Sequence, residues 1–161
     1  VSFPVEAFIR IDARDTAAGT FALIQGEWVF RCRFEPEHGP VEQVLWLSGE
    51  YAGKVSDVPH EVVLAIDPAY SVKVRISSPE RMRPEYQPKP GVIEVTHDGG
   101  IEFWASKWGA SHHVYAFDFA GKHSSPGERP RPLLTFDAYE CWLHKDGEIV
   151  GDTPLFTVSP Q

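Results

Sequence analysis

Hydrophobic residues recur at every second position along most of this chain, in short runs, and almost never at the spacing of a helix face. Side chains of an extended strand point alternately to opposite sides, so a period of two marks strands with one buried face. Phe3, Val5, Ala7, Ile9 and Ile11 alternate with Glu6, Arg10 and Asp12. Pro4 has no amide proton, which places this run at a sheet edge or a strand start. Residues 15–20 read as a turn, and a second run begins near Phe21. Trp28, Phe30, Cys32 and Phe34 alternate with Glu27, Val29, Arg31 and Arg33, the pattern of a half-buried strand with its rings inward.

The same period continues downstream. Strands are expected at 41–48, 62–66, 72–76 and 92–96, then in a hairpin formed by 101–107 and 112–119. A long strand at 133–143 follows, and Lys145-Asp146-Gly147-Glu148 turns the chain into Ile149 and Val150. A last strand falls at 155–158. Fourteen prolines and thirteen glycines are scattered between these runs and cut the chain into short elements. Two stretches hold several prolines: 77–91, with Pro79, Pro84, Pro88 and Pro90, and 121–132, with Pro126, Pro130 and Pro132. Helical spacing is confined to one turn near 79–83.

These observations predict a single all-β domain over residues 1–161, an antiparallel β-sandwich of about ten strands. The alternative is a closed or partly open β-barrel. The two proline-rich loops, near 77–91 and 121–132, suit crossovers between sheets better than the short hairpins of a barrel.

Charge narrows the partners. The formal net charge is −8 at pH 7, so the surface repels phosphate backbones and nucleic acid is not an expected partner. No apolar run approaches the length needed to cross a membrane, and none is expected there. The acids are dispersed, the pattern of a solvated, soluble surface. The chain starts at Val1 with no signal-peptide pattern, which predicts a processed, trimmed or truncated start.

Candidate chemistry concentrates in the hairpin. If its residues pair so that their numbers sum to about 220, Ile101, Phe103, Tyr115, Phe117 and Phe119 share a core face. Glu102, Trp104, Ser106, Trp108, His112, Val114, Ala116 and Asp118 then share the other. Trp104 and Trp108 beside His112 and Asp118 are the candidate ligand-binding set, a stacking platform for a sugar or another flat ligand, provided that nothing covers this face.

Other motifs point away from catalysis. His112 and His113 are neighbours, and neighbours in a strand face opposite ways, so no metal site is expected. No cofactor is expected either: the chain lacks a phosphate-binding glycine loop, a dinucleotide fingerprint and a Gly-x-Ser-x-Gly elbow. Glu140 falls in phase with Leu134, Phe136, Ala138 and Trp142. Either it is a buried carboxylate able to act as acid or base, or a bulge near 138–140 turns it outward; the second is preferred. Cys32 is in phase with inward rings and Cys141 with Thr135, Asp137 and Tyr139, so unlike faces argue against a disulfide. The expected function is a binding or interaction module for a protein partner or a small polar ligand, without catalytic machinery. The alternatives are a barrel holding a small hydrophobic or carbohydrate ligand, and a small enzyme using Glu140, His112 and Asp118.

Overall fold

The computed structural model describes residues 2–87, 89–107, 110–124 and 132–160. Sixteen strands run through the described residues, more than the runs of the sequence suggest because several are only two or three residues long. The first seven are β1 (Phe8–Asp12), β2 (Phe21–Ile24), β3 (Glu27–Phe34), β4 (Val41–Trp46), β5 (Lys54–Asp57), β6 (Val62–Ile66) and β7 (Ser71–Ile76). Then come β8 (Arg83–Glu85), β9 (Ile93–Val95), β10 (Ile101–Lys107), β11 (Ala110–Asp118) and β12 (His123–Ser124). The chain ends in β13 (Leu133–Phe136), β14 (Tyr139–Lys145), β15 (Glu148–Ile149) and β16 (Phe156–Val158).

They form two sheets. Twelve strands make the larger one, ordered β1-β6-β2-β3-β4-β5-β10-β9-β13-β8, with β11 and β12 continuing from the far side of β10. In the smaller sheet β14 pairs with β7 along one side and with β15 and β16 along the other. The pairing is antiparallel except for a two-residue parallel contact between β5 and β10. A single bridge between Arg33 and Lys122 brings the turn after β11 against β3, but one bridge is not a ladder. The sheets do not close into a barrel, and the architecture is a β-sandwich.

Rings fill the space between the sheets. Phe21, Phe30, Phe103 and Phe117 of the larger sheet meet Val72, Tyr139, Cys141 and Leu143 of the smaller one in a single buried cluster. Phe103 and Tyr139 approach to 6.2 Å between centroids, and Trp28 stacks on Phe156 at 5.0 Å. Each such side chain contributes about 1.5–3 kcal/mol on burial. Two hairpins owe their shape to local backbone. Gln25-Gly26 and Asp146-Gly147 both take positive φ at two successive residues, the geometry that lets a two-residue turn follow strand twist.

Several expectations are corrected. Val5 does not face the core: Val5–Ala7 is a 3-10 turn and Val5 is 85% exposed. β3 is buried on both faces, because Ala13 and Thr16 cover the side opposite the rings. There Arg31 is buried, donating to Thr16 Oγ1 at 2.8 Å and to the Thr16 carbonyl at 3.0 Å, and pairing with Glu42 at 3.0 Å.

The long strand at 133–143 is two strands. The chain leaves the larger sheet at Phe136 and enters the smaller one at Tyr139. That step inverts the phase, so Tyr139, Cys141 and Leu143 are buried and Glu140 faces outward. Cys141 and Cys32 therefore face the same core from opposite sheets, yet both are free thiols. Burial pushes the Cys32 thiol up to about 12 and raises that of Cys141 as well. The 77–91 stretch crosses between sheets, from β7 to β8, and Pro84 sits where the ladder needs little from it, on the edge strand beside β13. The 121–132 stretch instead joins β12 and β13 within one sheet, and residues 125–131 lie outside the described residues.

Candidate functional site

The hairpin adopts the register that its numbering suggests. Glu102 pairs with Asp118, Phe103 with Phe117 and Trp104 with Ala116, before a shift between Ser106 and Lys107. Phe103 and Phe117 are buried in the sandwich core. The opposite face is covered at Trp104. Trp104 is only 1% exposed, packed with Ala116, Leu133, Val92 and Val114. Its Nε1 donates to Glu94 Oε1 at 3.0 Å. A stacking platform needs a free ring face, and Trp104 has none to offer; the indole is a core residue with a satisfied polar handle. Trp108 lies outside the described residues. His112 belongs to β11, and its side chain is likewise outside them.

Asp118 organises a turn. Its Oδ1 accepts from the amides of Ala120 and Lys122, each at 3.0 Å, and its own amide donates to the Lys122 carbonyl at 2.9 Å. Gly121 follows with φ +81, and a Cβ there would stand 2.5 Å from the Arg31 carbonyl oxygen. Glycine lets this turn dock against β3, where the Arg33 amide donates to the Gly121 carbonyl at 2.6 Å.

Register also assembles a group that hairpin reasoning did not reach. Thr135, Glu94, Glu102 and Asp118 are successive cross-strand partners on β13, β9, β10 and β11. Cross-strand partners share a face, so three carboxylates line one groove of about 830 Å³, with Thr96, His97 and Asp98 at its rim. Each carboxylate has an oxygen in a structural bond: Glu94 accepts from Trp104, Glu102 from Ser124 Oγ at 3.1 Å, and Asp118 from its turn. Among the described residues no group of three or more His, Cys, Asp or Glu is arranged to hold a metal ion. Glu140 is on the other sheet, where its Oε2 accepts from Trp142 Nε1 at 2.7 Å. Glu140 and Asp118 therefore do not share a cleft in which they could act together.

A second cleft, of about 650 Å³, opens between the sheets beside β7. Phe21, Ile66 and Ile101 of the larger sheet and Phe119 of the turn after β11 line one side, and Val72 and Val74 of β7 the other. Asp67, Tyr70 and Lys73 stand at its rim, with the Lys145 ammonium 5.1 Å over the Tyr70 ring. These residues are apolar in the ordinary phase of strands, so their sequence reads as core. What the sequence does not carry is that, among the described residues, β7 ends the sheet and leaves their cleft open.

Comparison with protein-family models, with curated protein sequences and with solved structures finds no match to this chain. The class is therefore defined by geometry: an all-β sandwich whose described residues include an apolar cleft beside β7 and a carboxylate-lined groove beside β9. No helix among the described residues is long and apolar enough to cross a membrane.

Proposed function

We propose that this protein is a non-catalytic binding module whose site is the apolar cleft beside β7. The observation that carries this reading is the lining itself: three rings, Phe21, Tyr70 and Phe119, and four aliphatic side chains surround an accessible space, with a few polar groups at the rim. Binding sites combine these features, and the volume lies in their usual range of about 300–1,000 Å³. The lining favours an apolar body over the small polar ligand expected from the sequence. The carboxylate groove is larger, but its acids are engaged in holding the hairpin and its turn.

The test is a titration with the apolar dye anilinonaphthalene sulfonate against the native protein and an Ala17→Trp variant. Ala17 lines the mouth of the cleft and is exposed, so an indole there fills the entrance without disturbing the core. The reading predicts one dye per chain, an affinity at least about tenfold weaker in the variant, and an unchanged melting temperature. No dye binding, or equal binding by the variant, contradicts it.

A further inference from the structure

Beside the cleft lies a row of backbone groups that no strand among the described residues uses. β14 pairs with β7 from Ser71 to Ile76, and among the described residues no strand pairs along the other side. An edge strand presents unpaired N–H and C=O groups to whatever can lie alongside it. Here the edge and the cleft are one surface, because Ser71, Val72, Lys73 and Val74 all line the opening.

We infer that β7 is the docking edge for an extended segment of a partner protein, one whose alternate residues are apolar and acidic. This rests on the reading of the cleft as a binding site and names its occupant. A strand laid against β7 continues the smaller sheet over the mouth of the cleft, and its main chain pairs with the free edge. Its residues then fall into two sets. Those on the same face as Val72 and Val74 point down towards Phe21, Ile101 and Phe119, where only apolar side chains are stabilised. Those on the other face become neighbours of Ser71, Lys73 and Arg75, and opposite charges across strands are favoured.

The two cations are not equivalent. The Arg75 guanidinium already lies 4.8 Å over the Trp142 ring, and Arg75 has Glu140 as its cross-strand neighbour. Lys73 is exposed and makes no ion pair within 4.0 Å among the described residues, so it selects the acid more strongly. The same charges argue against a second copy of this chain. Two β7 strands joined antiparallel about Lys73 would set cations opposite one another, which is destabilising.

The probe is a short, end-capped peptide of alternating isoleucine and glutamate, together with a copy N-methylated on the amides of one edge. Binding is followed by calorimetry, and β7 by amide hydrogen exchange. The expected results are a one-to-one complex, slowed exchange at Ser71–Ile76, and at least about tenfold weaker binding of the methylated peptide, because methylation removes main-chain pairing but keeps the side chains. Lys73→Glu weakens binding about fivefold and restores it for an alternating isoleucine–lysine peptide; Lys73→Gln falls between. Lys73 is exposed, so both variants keep the fold. If the dye binds and the peptide does not, the inference fails while the binding site stands. If neither binds, both fail. Indifference to methylation or to Lys73→Glu overturns the inference, as does sedimentation as a dimer crosslinked through Lys73.

Discussion

The two clefts share Ile101 and Phe119 and part company from there. On one side the hairpin turns its rings towards the sandwich, and the resulting cleft is apolar and opens along an unpaired strand. On the other side it turns Glu102 and Asp118 towards Glu94, and the resulting groove is lined with acids. The larger volume belongs to the groove, yet its acids hold Trp104, Ser124 and a turn in place. If the proposed reading holds, the contrast teaches that the task each side chain already performs is a better guide to a site than volume.

Three substitutions test this contrast and a fourth tests the step between the sheets, in falling order of effect. Trp104→Ala should cost about 3–5 kcal/mol in urea unfolding, since it empties a buried site and takes the donor from Glu94. A loss below about 1 kcal/mol would mean that the ring packs poorly and that Trp104 is not the core residue its burial makes it. Gly121→Ala should cost about 2 kcal/mol through strain, because the turn that carries Phe119 to the junction of the clefts has no room for a Cβ. Asp118→Asn should cost about 1 kcal/mol and leave dye affinity unchanged. Dye lost on that substitution, with the fold intact, would move the site to the groove.

The smallest effect lies away from both clefts, at the step between sheets. Arg81 makes two hydrogen bonds to Asp137, at 3.0 and 2.8 Å, and holds that carboxyl below its ordinary value of 3.8. A lowered folded pKa stabilises the protein above 3.8, and the contribution is lost as pH falls through the folded value. Native protein should therefore lose more stability than Arg81→Gln between roughly pH 5 and pH 3, by a small margin because both groups are partly exposed. Equal losses would mean that the pair does not secure the step.

Much of the fold is legible in the sequence because strand phase is a local property. The hairpin register from Glu102 to Val114 follows from numbering alone, as does the inward row Phe30–Cys32 of β3. Phase fails where the chain changes sheet. Nothing local to Asp137-Ala138 announces that Tyr139 starts a new ladder, so simple alternation puts Cys141 on the face opposite the core; the outward turn expected of Glu140 is present, made by a change of sheet and not by a bulge. Phase also cannot say what covers a face. Trp104 is buried by Leu133 and Val92, which are distant in sequence, and Arg31 is buried by Thr16. The apolar cleft was hidden for the converse reason: Val72 and Val74 read as core, and only strand order reveals that their sheet stops at β7.

The most direct test of the account is chemical-shift mapping of the backbone amides while the native protein is titrated with the dye. The account predicts that shifts centre on Val72, Val74, Phe21 and Thr20, which line the apolar cleft alone. Shifts centred instead on Glu94, Glu102 and Leu134, which line the groove alone, would contradict it.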